Sequence, residues 1–256
     1  MQSKEKVSAI IQARVNSRRF PGKVLKKIEG KPMIWHVINR MKLVKGVEQI
    51  ILITTKRKED EVLLDIAKKN DILSFSGNTN DVLGRYYNSA KKFNANPIIR
   101  ITGDNPLLDP KLVEKFLKLF KKNNYDYASN TILPTYPDGL SVEIFSFNAL
   151  EKNYQNAKLK SEREHVTPYF KKNTSKFHTF NFSYRTNLSH LRWTVDEAQD
   201  LKLVRKIYSL MRPKKIFYLN DILKLLAKNE KLSKINSEIT PYDGYLYSLK
   251  HDKTIR

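Results

Sequence analysis

Five short apolar runs separated by four segments of helical spacing limit the folds open to this chain. The runs are residues 7–13, 49–54 (QIILIT), 72–76, 97–102 and 125–129. Runs of this length bounded by turn residues read as buried strands. Between them, residues 33–44 and 59–69 carry apolar side chains at helical spacing. Residues 81–93 form a third such segment, with Asp81 at its N-cap. Asp109-Pro110 opens a fourth, with Pro110 at the first helical position and Leu112, Phe116, Leu119 and Phe120 on the buried face. A βαβαβαβαβ series predicts an α/β fold, a mostly parallel sheet with helices on both faces. Ligands of such sheets bind beyond the carboxyl ends of the strands. The loops after Ala13, Ser76, Thr102 and Ser129 are therefore where a site is expected.

After Asn130 the pattern changes. A turn-rich stretch holds Pro134, Pro137, Asp138 and Gly139. Residues 140–145 alternate like an exposed strand. Residues 161–172 read as a helix, 191–195 (LRWTV) as a short strand, and 197–211 and 220–228 as helices. From residue 230 the chain is rich in lysine and tyrosine with weak periodicity. No linker interrupts this order. The expectation is one domain over 1–212 with a helical extension of it over 213–256, and 256 residues at 40% hydrophobic content suffice for such a core.

Composition removes several classes. There is no cysteine, so disulfides and thiolate metal sites are excluded. The first residues lack the apolar region of a signal peptide, and no run approaches the roughly 18 apolar residues of a membrane span. These features predict a cytoplasmic protein with no membrane partner. The net charge of +22 fits a solvated lysine-rich surface, a field that draws small polyanions such as nucleoside triphosphates, or binding to nucleic acid. The lysines are spread over several helices and no recognition helix or basic aromatic face is evident, so a nucleic-acid partner is not expected.

Five constellations could carry chemistry. Gln12-Ala13-Arg14, Ser17-Arg18-Arg19 and Pro21-Gly22-Lys23 lie between a strand and a helix, where backbone N–H groups and cations can hold a triphosphate. The alternative is a basic surface loop, and the spacing is not that of a Walker A motif. In Thr102-Gly103-Asp104 an aspartate follows a strand, a position suited to a magnesium ligand or to a turn cap. Asp196, after Arg192-Trp193-Thr194-Val195, could cap the next helix or partner Asp104 on the metal. Ser161-Glu162-Arg163-Glu164-His165 is a charged helix face, and no second histidine at ligand spacing supports zinc. Tyr136-Pro137-Asp138-Gly139-Leu140 is a turn whose aspartate could bind sugar hydroxyls.

Taken in order, IIQARVNSRRFPGKVL, SGNTNDVLGRYY, IRITGDNPLLDP, SNTILPTYPDGLSVEIF, SEREHVTPY and LRWTVDEAQDL run from residue 8 to about 211. In these stretches the chain resembles the spore-coat polysaccharide cytidylyltransferase-like family, related to CMP-Kdo synthetases and acylneuraminate cytidylyltransferases. The resemblance implies a nucleotide-diphospho-sugar transferase (GT-A-like) fold and transfer of CMP from CTP to a sugar, with a sugar acid among the candidates, for polysaccharide or glycan biosynthesis. It implies catalytic roles for Arg14, Lys23 and Asp104, and nucleotide contacts from Gln12, Ala13, Arg14, Ser17, Arg18, Lys23, Gly77, Asn78 and Asp104. Asp138, Glu162 and His165 fall where the sugar is expected. Asp104 and Asp196 match the pair that holds Mg²⁺. Relatives of this kind are often homodimers, and the aromatic segment 136–147 offers an interface. The best-characterised relatives have proline in place of Gln12 and lack the PDGL stretch, so GTP or UTP as donor, or a sugar phosphate as acceptor, stay open.

Overall fold

The computed structural model describes residues 4–214, 216–240 and 248–254. β1 (Lys6–Gln12) leads through a small hairpin, β2 (Lys27–Ile28) and β3 (Lys31–Pro32), into α1 (Met33–Lys42). β4 (Gln49–Thr55), α2 (Glu61–Lys69), β5 (Leu73–Gly77), α3 (Val82–Lys92), β6 (Ala95–Thr102), α4 (Pro110–Asn123) and β7 (Tyr127–Ser129) complete the expected alternation. The remainder is less regular: β8 (Glu143–Phe145), α5 (Phe147–Asn156), α6 (Lys160–His165), α7 (Pro168–Lys172), β9 (Thr179–Asn181), α8 (Ala198–Met211), α9 (Leu219–Lys228) and α10 (Glu230–Ser233).

Seven strands form one sheet in the order β5-β4-β1-β6-β8-β7-β9, and only β8 runs antiparallel to its neighbours. β1 sends Val7, Ala9 and Ile11 into one core and Ile10 into the other. β4 splits likewise, with Leu52 on one face and Ile51 and Ile53 on the other. A strand apolar on both faces needs helices on both faces. α1, α4, α8 and α9 cover one, and α3, α5 and Phe170 of α7 the other. The helix starts follow local chemistry. Asp81 accepts from the Gly84 N–H at 2.8 Å, and Asp109 accepts from Lys111 and Leu112 ahead of a helix that begins with Pro110. No helix among the described residues is long and apolar enough to cross a membrane.

The second half departs from its sequence pattern in three places. Residues 140–145 read as an exposed strand, yet β8 covers only Glu143–Phe145, is wholly buried and lies inside the sheet between β6 and β7. Its polar alternate residue is Glu143, which pairs with Arg100 directly across from it on β6. A buried ion pair here mimics the alternation of a solvated face. The helix expected over 161–172 is two helices, because Val166 turns to a positive φ of 71° and Pro168, which has no N–H to carry the ladder on, opens the second one. Residues 191–195 make a single bridge, Arg192 to Asp138, and their other backbone groups go to loops. Beyond residue 212, Phe217, Leu219, Ile222 and Leu226 lie in the same core as α1 and α4. The tyrosines Tyr242, Tyr245 and Tyr247 of the extension fall outside the described residues.

Glu143 accepts from Tyr127 Oη at 2.7 Å and Thr167 Oγ1 at 2.7 Å besides its contact with Arg100. Burial by itself pushes its carboxyl up, but the Arg100 and Lys171 cations and these donors outweigh burial and hold it down at about 2. A depressed carboxyl stabilises the fold in full above its unfolded value, here 4.5, and that contribution is lost as the pH falls toward 2. The linkage amounts to about 3 kcal/mol. Glu143→Gln is expected to unfold at lower urea concentration at pH 7 by about that free energy, with the difference from wild type shrinking steadily below about pH 4. A constant difference across that range would show that the pair carries no such linkage.

Candidate active site

The basic loop after β1 is fixed at its root. Ala13 N–H donates to Ile53 O at 3.0 Å, Val15 N–H to Asp60 Oδ1 at 2.6 Å, and Gly22 N–H to Val15 O at 3.0 Å. Asp60 is itself buried and bonded to Thr55 Oγ1. Gly22 takes a positive φ of 70°, which brings the chain back toward the sheet. The return places Lys23 at the start of a single 3₁₀ turn with its side chain only 10% exposed. Arg14, Arg18 and Arg19 remain on the outside of the loop, and Ser17 is half-buried. Gln12 sits at its root, where its backbone O accepts from Gly103 N–H at 2.8 Å.

Lys23 joins three distant parts of the chain. Its Nζ lies 2.7 Å from Asp104 Oδ2 and 2.7 Å from Asp196 Oδ1. The backbone reinforces this, since Val195 N–H donates to Asp104 O at 2.9 Å and Gly103 N–H to Gln12 O. The other oxygen of Asp196 receives Arg19 at 2.7 Å and Arg192 at 3.2 Å. Asp138 joins from the turn. Its backbone O accepts from Trp193 and Thr194 N–H, and its Oδ2 from Arg192 Nη1 at 3.3 Å. Thus Lys23, Asp104, Asp138 and Asp196 meet beyond the carboxyl ends of β1 and β6. Arg19 and Arg192 belong to the same cluster.

The electrostatics follow from crowding in a buried place. Burial works against the Lys23 ammonium, but Asp104 and Asp196 more than compensate and raise its pKa. Burial likewise disfavours charge on Asp104, and the Lys23 cation reverses this and lowers its pKa. Asp138 goes the other way. Burial, aided by Asp196, Asp104 and Asp200 and opposed by Arg192, pushes it up to about 6. Among the described residues no group of three or more His, Cys, Asp or Glu could hold a metal. Two carboxylate oxygens converging on one cation suit Mg²⁺, which takes few protein carboxylates and completes its shell with phosphate oxygens and water.

Comparison with known proteins gives the family. The family model described as cytidylyltransferase matches residues 8–240. The chain belongs to the cytidylyltransferase family. It is therefore a nucleotidylyltransferase. It is 38% identical to the uncharacterized protein MJ1063 of Methanocaldococcus jannaschii over 91% of this chain and 96% of that protein. The spore coat polysaccharide biosynthesis protein SpsF of Bacillus subtilis is 25% identical over 86% of this chain and 93% of its own. The solved structure of a cytidylyltransferase from Leptospira borgpetersenii superposes with a TM-score of 0.87 at 33% identity, covering 93% of this chain and 100% of that one.

The other expected site residues of the cytidylyltransferase are held by contacts of their own. Gly77 ends β5, and Asn78 follows in a loop held by Arg85, whose guanidinium donates to the Asn78 and Thr79 carbonyls. Glu162 is not gathered with Asp138. Its Oε2 accepts from the Lys158 and Leu159 N–H groups at 2.9 and 3.0 Å and closes the start of α6. His165, on the same helix, lies near Arg100, Lys171 and Glu143, and burial lowers its pKa to about 4. Arg19 was expected only as one of the loop's cations, and Asp60, Arg85, Arg192 and the Arg100–Glu143–Lys171 group were not among the expected site residues. The visible signals were Arg100 inside an otherwise apolar strand and Glu143 inside VEIF.

The turn at Asp138 depends on Gly139, whose φ is 112° and whose added Cβ would stand 2.5 Å from Thr194 N and Trp193 C. Both are backbone atoms of the segment that leads to Asp196. Gly139→Ala is expected to cost at least about 2 kcal/mol, a fall in Tm of about 4 °C or more by calorimetry. An unchanged Tm would mean that the turn and the segment are not held in register by this contact.

Proposed function

We propose that this cytidylyltransferase transfers CMP from CTP to a sugar hydroxyl and releases pyrophosphate, serving polysaccharide or glycan synthesis, with Mg²⁺ bound by Asp104 and Asp196. The observation that carries the reading is the placement of Lys23 Nζ at 2.7 Å from both carboxylates. Two acidic loops meet at one cation at the end of the sheet where nucleotides bind in such folds. The kinship with SpsF, named for spore coat polysaccharide biosynthesis, supports the sugar acceptor.

In this reading the acceptor oxygen attacks the α-phosphorus of CTP, a new P–O bond forms, and the bond to the bridging oxygen of the β-phosphate breaks. Mg²⁺ supplies charge neutralisation at the reacting phosphate. The chain does the positioning. Arg14, Arg18 and the loop from Gln12 through Ala13 to Ser17 bind the triphosphate, and Lys23 and Arg14 balance the charge that grows on the departing pyrophosphate. Gly77 and Asn78 line the base, on a loop that Arg85 keeps in place. Asp138 and His165 face the acceptor, Asp138 as a hydrogen-bond partner for sugar hydroxyls. Glu162 acts on the acceptor side through the start of α6, whose free N–H groups it closes. Catalysis of this type consists mainly of positioning and electrostatic stabilisation.

Thermal-shift measurements against ATP, CTP, GTP and UTP with Mg²⁺ test the donor. CTP is expected to stabilise selectively, by about 2.7 kcal/mol at a hundredfold excess over Kd. Stabilisation by another triphosphate instead would overturn the choice of base. Asp104→Ala is expected to abolish pyrophosphate release while unfolding cooperatively like wild type, because Lys23 keeps Asp196 as a partner. Wild-type turnover in that variant would remove Asp104 from the mechanism.

A further inference from the structure

We infer that Asn236, on the C-terminal segment, is a positioning residue for Asp196; the inference rests on the assignment of Asp196 to the reacting site. Asn236 is the only buried residue between 227 and 240, while the apolar Leu232, Ile235 and Ile239 of the same stretch stay partly exposed. A segment that buries an amide in preference to its own leucine and isoleucines is docked through that amide. Both amide protons are used. One goes to Asp200 Oδ1 at 2.8 Å and the other to the backbone O of Arg192 at 2.9 Å.

Those two acceptors control Asp196 from both sides. Asp200 is fully buried and receives Arg192 through Nε at 3.0 Å and Nη2 at 3.2 Å. Its Oδ2 also receives the backbone N–H of Asp196 at 2.9 Å and of Glu197 at 3.0 Å. Arg192 then holds the Asp196 carboxylate at 3.2 Å and Asp138 at 3.3 Å. Asn236 thus fixes the backbone from which the guanidinium projects and the carboxylate against which it rests. Partners one step removed from a metal ligand typically change metal affinity or activity 10- to 100-fold when lost. The C-terminal extension is on this account part of the machinery that sets the site.

The test compares Asn236→Leu, Asn236→His, Leu226→Ala and Asp196→Ala in the full chain, with unfolding curves, pyrophosphate release and Mn²⁺ binding followed by EPR in the presence of CTP. Leu226→Ala removes buried apolar volume from α9 without touching the polar chain and reports what simple destabilisation does. Asn236→Leu is expected to weaken Mn²⁺ binding about 10-fold or more and to lower kcat with it, while Leu226→Ala leaves both near wild type. Asn236→His, which keeps an N–H donor at a similar distance, is expected to recover most of the loss. Equal Mn²⁺ binding in folded Asn236→Leu and wild type would overturn the inference, as would an equal loss in Leu226→Ala. Should Asn236→Leu not fold, Asn236→Ser carries the same expectation. Wild-type behaviour of Asp196→Ala would instead overturn the assignment of Asp196, a separate failure from that of Asn236.

Discussion

The contact on which the rest of this molecule depends is the one between Lys23 and its two aspartates. The ammonium joins residues 81 and 173 positions away in the chain. The lysine is the most buried of the three, and its ammonium is kept there by the two carboxylates. Loss of Lys23 would take from Asp104 its ion-pair partner, whereas Asp196 would keep Arg19 and Arg192. The loops bearing these groups are therefore held together by more than packing. The hydrogen bonds from Gly103 to Gln12 and from Val195 to Asp104 keep the same three segments in register through the backbone.

Around this contact the structure adds charge in layers. Asp196 is shared by Lys23, Arg19 and Arg192, and Arg192 is shared in turn by Asp138, Asp196 and Asp200. Arginine suits this role because its planar fork can serve several carboxylates at once and stays charged when buried. The second buried group, Arg100 with Glu143 and Lys171, follows the same logic on the opposite face of the sheet from α1 and α4. It lies across β6 from β8, two residues before Thr102.

The first half of the fold was legible because β1 and β4 are apolar on both faces and α3 and α4 carry their own start signals in Asp81 and Asp109-Pro110. The second half was harder because its polar residues are buried. Glu143 made an interior strand look like an exposed one, and a segment stapled to two loops, 191–195, has no ladder to announce it. Of the site, Lys23, Asp104, Asp138 and Asp196 stood out in sequence, being acidic or basic residues in turns after strands. Arg192 did not, and the pairing of Arg19 with Asp196 did not, since an arginine's partners are not visible in sequence. Asn236 had no signal in a lysine-rich tail, because its value lies wholly in what packs over it.

The net charge of +22 belongs to a different part of the problem. Lys23, Arg19 and Arg192 face Asp104, Asp138, Asp196 and Asp200, so the cluster itself carries no excess of positive charge to draw a triphosphate from solution. Arg14 and Arg18 are exposed on the loop above it, and in the proposed mechanism they and, at longer range, the lysines of α4 and α8 supply the field. Attraction and chemistry are in this way separated. In the proposed mechanism the surface would raise the local concentration of an anionic donor, and the charge-balanced interior would hold the carboxylates in place for its metal. A uniformly basic pocket would bind the triphosphate more tightly but would leave no carboxylate oxygens for a divalent ion, and tighter ground-state binding alone does not speed the transfer.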